Sequence, residues 1–166
     1  MSERLAALLG LRLLVGSVAA AHEYSRNGVT VVHPWARATP GGAKVSGAYF
    51  EMKATRDHSD RLIGVRCAAA GAAELHKDVL ENGFAKMRRV NAISLRGGAS
   101  VVLKPGGYHV MLMDLVAPLR EGDVIKLKLV FEKAGEIEVE ATIEPIGATG
   151  PHGFDRQPTG PEDHNH

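Results

Sequence analysis

The chain of 166 residues has very few sulfhydryl and aromatic groups: a single cysteine, Cys67, and 5% aromatic residues. One cysteine excludes an internal disulfide, and it excludes a zinc or iron–sulfur site built from several thiolates. The sequence also lacks a glycine-rich phosphate loop, a Gly-x-Ser-x-Gly motif and a His-Glu-x-x-His motif. No pair of acidic residues lies in a setting for acid–base chemistry. We therefore expect that the protein is not an enzyme.

The sequence also lacks a large excess of charge of either sign. It contains 20 Lys and Arg residues and 19 Asp and Glu residues, for a formal net charge of +1. Nucleic-acid-binding proteins carry a strongly basic face, so we expect no nucleic-acid partner. An apolar content of 45% is enough for one domain with its own core, and we expect a monomer. The eight histidines are the unusual part of the composition.

Residues 1–21 are predicted to be an export signal. Arg4 lies near the start, an apolar stretch follows, and Ala19 and Ala21 occupy the −3 and −1 positions of a cleavage site. Arg12 interrupts the apolar stretch, and a charge in the middle of a membrane-spanning helix costs about 2.5–3.5 kcal/mol, so a cytoplasmic amphipathic helix is the alternative. No other segment is long and apolar enough to cross a bilayer. We expect a periplasmic protein with no membrane span after signal removal.

After the signal, short apolar runs alternate with Gly, Pro, Asn and Asp, which is typical of strands. Residues 125–131 and 137–143 alternate apolar with charged side chains around a turn at 133–135, which predicts a hairpin. Helix signals are weak, since the alanine-rich segment 68–75 contains Gly71. We predict an antiparallel β-sandwich or barrel over residues 22–145. Residues 146–166 contain almost no apolar side chains and are predicted to form a disordered tail.

A strand predicted over residues 108–115 carries His109 and Met111, whose side chains share one face because they lie two residues apart. Met113 shares that face and is interpreted as core or as a neighbour of a site. Thioether sulfur is a soft ligand that favours cuprous copper, whereas zinc prefers thiolate, imidazole and carboxylate. A single methionine on a strand usually fills the core, so the residue types alone leave that interpretation open.

The spacing of these residues is more specific than their type. His76 is followed after ten residues by Met87, and after twenty-one more by His109, Val110 and Met111. Two further segments belong to the same pattern: His-Pro-Trp-Ala-Arg-Ala-Thr-Pro (33–40) and Pro-Gly-Gly-Tyr-His-Val-Met-Leu-Met (105–113). In these features the sequence resembles the periplasmic PCuAC copper chaperones over roughly residues 22–145.

The resemblance implies a cupredoxin-like antiparallel β-sandwich of the Greek key type. It implies that His76, Met87, His109 and Met111 hold one cuprous ion, Cu(I). It further implies delivery to a copper-receiving oxidase subunit, for assembly of the binuclear copper centre, directly or through a thiol-bearing assembly factor. Two alternatives stay open: an electron-transfer cupredoxin, whose copper needs a cysteine ligand, and a metal-free β-sandwich module.

Four further histidines are candidates for a secondary cupric site, Cu(II): His22, His152, His164 and His166. Imidazole and carboxylate without sulfur suit cupric copper better than cuprous copper. His22 would become the first residue after signal removal, so that its imidazole lies beside a free amine. The alternative is a solvated tail whose histidines bind metal only incidentally.

Cleavage of the export signal can be measured directly. We expect exported protein to begin at His22, because Ala19 and Ala21 provide the small side chains that a signal peptidase requires. Mass spectrometry of the periplasmic fraction gives the mass of the mature chain. A chain that keeps Met1 would refute the export prediction.

Overall fold

The computed structural model describes residues 22–151, and in this range it contains eleven strands and no helix. The predicted export signal and the tail histidines His152, His164 and His166 lie outside the described residues. Within the described range there is no helix with the length and apolarity to span a membrane. The strands are β1 (Glu23–Arg26), β2 (Val29–Arg37), β3 (Val45–Ala54), β4 (Asp60–Cys67), β5 (Ala70–Glu81), β6 (Phe84–Arg89), β7 (Ile93–Leu95), β8 (Ser100–Val102), β9 (Tyr108–Leu115), β10 (Val124–Phe131) and β11 (Gly135–Glu144).

The strands pair in the order β6-β5-β9-β3-β2-β11-β10-β4-β7, with β1 added to β2 and β8 added to β3. All of these pairs are antiparallel except β2–β11, which is parallel. The sheet folds on itself, so that Phe50 of β3 lies in the same core as Leu62 of β4 and Ile93 of β7. The predicted all-β fold is confirmed, and the parallel pair makes the sheet mixed rather than purely antiparallel.

The predicted hairpin is present as β10 and β11. Leu127 lies opposite Val139 and Leu129 opposite Ile137, and all four side chains are buried. The charged residues between them face outward, where they pair across the strands as Lys and Glu. Alternation with a period of two thus separates a core face from a solvent face, as the sequence predicted.

The alanine-rich segment is part of a strand, since β5 extends over twelve residues, Ala70–Glu81. Intrinsic propensity does not favour a strand here, but β9 pairs along one edge of β5 and β6 along the other. Asn82 and Gly83 connect β5 to β6, and both have positive φ, 52° and 81°. Two central residues with positive φ form the type I′ turn that matches the twist of a two-residue hairpin.

Trp35 and Cys67 differ in how far they are buried. Trp35 is buried and its ring lies 4.4 Å from that of Tyr49. Cys67 is half-buried against the core, and this burial raises the pKa of its thiol. Residues beyond β11 also contact the domain, because the Arg37 Nε donates a hydrogen bond to the Ala148 carbonyl at 2.9 Å. The predicted limits of the domain stay predictions.

The carboxylate of Asp60 holds the β10–β11 turn against the start of β4. Its Oδ1 accepts hydrogen bonds from the Arg61 and Lys133 amides, and its Oδ2 accepts from the Ala134 amide and lies 2.8 Å from the His58 Nε2. Burial raises the pKa of Asp60. The hydrogen bonds from His58 and the three amides outweigh that effect, so the pKa lies below its usual value.

Substitution of Asp60 by asparagine should lower the free energy of unfolding by about 1–3 kcal/mol, because an amide cannot accept at both positions. The contribution of the carboxylate is fully present above the unfolded pKa of about 3.9 and is lost as pH falls through the lower folded pKa. Urea unfolding at pH 7 and at pH 3 measures both effects. Glu132→Gln, on an exposed pair with Arg61, is the control and should change stability by less than about 0.5 kcal/mol. Equal losses in the two variants would contradict this role for Asp60.

Candidate metal centre

The two histidines of the predicted site are direct neighbours. His76 on β5 pairs with His109 on β9, so both side chains leave the same face of the sheet. Val110 and Leu112 alternate with His109 and are fully buried in the core. His109 therefore lies on the opposite face of β9, where its ring centroid is 5.7 Å from that of His76.

The two methionines lie on the same face of the neighbouring pairs. Met111 is opposite Glu74 on β5, and Met87 on β6 is opposite Asp78 on β5. Met87, His109 and Met111 line one open pocket with a volume of about 370 Å³. His76 does not line this pocket but lies against the ring of His109. The structure thus brings all four predicted residues together on β6, β5 and β9.

In the rings of His76 and His109, one nitrogen has a hydrogen-bond partner and the other has none among the described residues. The His76 Nε2 lies 3.0 Å from the Glu74 Oε2, and the His109 Nδ1 lies 3.2 Å from the Gly107 carbonyl oxygen. The His76 Nδ1 and the His109 Nε2 are buried and have no hydrogen-bond partner within the described residues. A buried polar atom without a partner costs about 1–3 kcal/mol. A metal-binding imidazole typically donates its other N–H to a carboxylate or a carbonyl, so the free nitrogens fit a metal ion.

Glu74 connects His76 to a second charge. Its Oε1 lies 3.2 Å from the Arg89 guanidinium, while its other oxygen faces His76. The hydrogen bond from His76 lowers the pKa of Glu74 most, and the charge of Arg89 lowers it further. An ionised carboxylate at this position orients the imidazole and favours the tautomer with the proton on Nε2. Glu74 was not identified from the sequence, although its position two residues before His76 on a strand places both on one face.

Tyr49 and Arg37 close the pocket on the side of β2 and β3. The ring of Tyr49 lies 6.5 Å from that of His109, and the Arg37 guanidinium lies 5.8 Å above the Tyr49 ring. Burial raises the pKa of Tyr49, an effect that Arg37 opposes and Asp78 reinforces. The phenol therefore stays neutral near pH 7. These residues contribute a polar wall beside the four predicted ligands.

The histidines predicted for a secondary cupric site lie away from this pocket or outside the described residues. His22 is exposed ahead of β1, where its carbonyl accepts a hydrogen bond from the His33 amide at 3.1 Å. His152, His164 and His166 are not among the described residues. Met113 shares the face of Met111 but lies opposite Ala72, one step further from the histidine pair. Between residues 22 and 151, no three His, Cys, Asp or Glu side chains form a metal-type cluster.

Comparison with known proteins identifies a family and a curated relative of this chain. The family described as "Putative lipoprotein LpqE-like" matches residues 29–143. A curated relative, "Putative lipoprotein Lxx21020" of Leifsonia xyli subsp. xyli, is 30% identical over 119 residues, which are 71% of this chain and 70% of that protein.

Solved structures that resemble this chain include PCuAC domains. The copper-bound PCuAC domain from PmoF2 is 34% identical, with a TM-score of 0.65, and the match covers 75% of this chain and 98% of that domain. The CuI form of DR1885 from Deinococcus radiodurans is 26% identical, with a TM-score of 0.55, over 76% of this chain and 83% of that one. These matches show that the fold is that of a PCuAC-type domain, which confirms the resemblance seen in the sequence. The chain belongs to the LpqE-like family.

Gly47 on β3 lies opposite Met111 on β9, and its lack of a side chain leaves room for the ring of Tyr49. A Cβ at this position would lie 2.5 Å from the Tyr49 hydroxyl oxygen and 2.9 Å from its Cζ. Such contacts are too short, so a side chain here must displace the ring that borders the pocket.

Substitution of Gly47 by alanine should lower the free energy of unfolding by about 1–3 kcal/mol through this clash. It should also change the fluorescence of Trp35, since the displaced Tyr49 stacks on that indole. Gly41→Ala is the matched control, because a Cβ there meets nothing within 4 Å. We expect the control to unfold within about 0.5 kcal/mol of the wild type. Identical unfolding curves for the two variants would show that Gly47 is not required for packing.

Proposed function

We propose that the protein is an exported, periplasmic copper carrier that binds one cuprous ion through His76, Met87, His109 and Met111. The observation that carries this proposal is a pair of buried imidazole nitrogens, without a hydrogen-bond partner among residues 22–151, beside two thioethers. The carrier then passes the ion to a copper-receiving oxidase subunit or to a thiol-bearing assembly factor.

The ligand set matches the chemistry of cuprous copper. Two imidazoles and two thioethers are uncharged and soft or intermediate in character, which favours Cu(I) over Cu(II) or zinc. His76 would bind through Nδ1 and His109 through Nε2, because Glu74 and the Gly107 carbonyl occupy the other nitrogens. The two rings thus present different nitrogens to one ion.

Exposure of the ligands supports a carrier rather than a permanent metal site. His109 is 4% exposed, whereas Met87 is 59% exposed on β6, a strand whose six residues are all exposed. An acceptor ligand can approach the ion from the side of Met87 and replace this thioether first. The two histidines, which are less exposed than Met87, then release the ion last.

The relatives support the same proposal. Solved PCuAC domains include a copper-bound form from PmoF2 and a CuI form of DR1885. The family and a curated relative are described as lipoproteins, which supports export of this chain.

An electron-transfer function is disfavoured by the position of Cys67. This residue ends β4, and a two-residue turn leads from it to Ala70, the first residue of β5. His76 lies six residues further along β5, about 20 Å from Ala70 at the usual rise of a strand. Cys67 therefore lies near the other end of β5 and is not placed to complete a blue-copper site with His76 and His109.

Replacement of Met87 or Met111 by alanine should weaken cuprous binding on the order of 100-fold, a loss of about 2.7 kcal/mol. Met87→Ala is the sharper variant, because its exposed side chain packs little and the free energy of unfolding should stay within about 0.5 kcal/mol of the wild type. Anaerobic titration with Cu(I) against a chromophoric chelator measures the affinity.

Met113→Leu is the matched control, since it alters a methionine on the same face of β9 and should leave the affinity unchanged. The ligand assignment fails if Met87→Ala titrates like the wild type, or if Met113→Leu loses as much affinity as Met111→Ala. Wild-type protein that takes up no cuprous ion in this assay would refute the proposed function as a whole.

A further inference from the structure

The methionine side chains of the domain differ widely in exposure. Met52 is fully buried in the core, and Met111 and Met113 are half-buried. Met87 is 59% exposed and does not belong to the core. It lies on β6, the last strand at one end of the sheet order. Among the described methionines, Met87 is therefore the one that solvent reaches most freely.

Exposure decides which thioether a dissolved oxidant attacks first. Hydrogen peroxide supplies both the oxygen and the oxidising equivalents. The sulfur lone pair attacks one peroxide oxygen, an S–O bond forms as the O–O bond breaks, and water leaves. The sulfur is oxidised by two electrons and the peroxide is reduced by two. The product, methionine sulfoxide, is polar and is reduced back to the thioether by methionine sulfoxide reductases.

We propose that Met87 is a site of reversible oxidation to the sulfoxide, at which peroxide and a soft metal ion compete for the same thioether sulfur. The proposal rests on the proposed function for the metal, but the order of oxidation among the methionines does not. A bound ion takes one of the two lone pairs of the sulfur and makes the other less nucleophilic, which protects Met87 from peroxide. Oxidation in the metal-free protein removes a soft donor, so the protein binds cuprous copper more weakly until the thioether is restored.

The sulfoxide should leave the fold intact, because Met87 is largely exposed and does not belong to the core. Its cross-strand neighbour is Asp78, which lines the pocket, and none of the buried core residues in the described part of the chain lies on β6. Loss of metal binding after oxidation would therefore come from the changed donor atom. It would not come from unfolding, and far-UV circular dichroism distinguishes the two.

The test treats metal-free protein with hydrogen peroxide in the presence of a chelator and follows each methionine by peptide mass spectrometry. We expect the gain of one oxygen at Met87 to be at least fivefold faster than at Met111 or Met113, and slowest at Met52. The same reaction on protein loaded with silver(I), a soft ion that replaces cuprous ion without redox cycling, should oxidise Met87 at least fivefold more slowly. The oxidised protein should bind cuprous ion at least tenfold more weakly, and treatment with methionine sulfoxide reductases should restore the affinity.

Met87→Leu is the matched control, since it removes the oxidisable sulfur and its residual affinity should not change with the same dose of peroxide. Oxidation of Met111 or Met113 as fast as Met87 would overturn the proposal while leaving the ligand set intact. Rapid oxidation of Met87 without protection by silver(I), or without loss of cuprous affinity, would also overturn it. The Met87→Ala titration then separates the two failures: wild-type affinity in that variant shows that the ligand role of Met87 is wrong, whereas weakened affinity leaves the proposed function intact.

Discussion

The antiparallel pairing of β5 with β9 is the constraint on which the candidate centre depends. It sets His76 directly opposite His109, and the same register sets Glu74 opposite Met111. Because side chains alternate across a strand, a slip of one residue would turn His76 toward the core and Leu75 toward the pocket. Leu75, Val110 and Leu112 are buried in that core, so the hydrophobic effect holds the register that the polar face requires.

The candidate centre destabilises the metal-free protein locally, and the hydrophobic core offsets this loss of stability. Two buried imidazole nitrogens have no hydrogen-bond partner within the described residues, and leaving them unsatisfied destabilises the metal-free protein. The core beneath, contributed by strands from both ends of the sheet order, compensates for this cost. A site of this kind is preorganised, since Glu74 and the Gly107 carbonyl orient the rings before any ion arrives.

Exposure rises in one direction across the three strands. It increases from His109 on the inner strand β9, through His76 on β5 with 14% of its side chain exposed, to Met87 on the outer strand β6. The inner ligands gain rigidity from the core, while the outer ligand gains access to solvent. This gradient underlies both the proposed release of the ion and the proposed sensitivity of Met87 to oxidants, because the same exposed sulfur atom is open to either reagent.

The sequence by itself determined the class of fold and the four candidate ligands. Alternation of apolar and charged residues identified β10 and β11, since strand periodicity is a local property that each segment carries on its own. The spacing of His76, Met87, His109 and Met111 identified the PCuAC type. Only the tertiary structure decided that the alanine-rich segment forms β5, because its strand state comes from pairing with β9 and β6. It also decided which ring nitrogens are free and which sulfur is exposed, since both depend on residues that approach from other strands and turns.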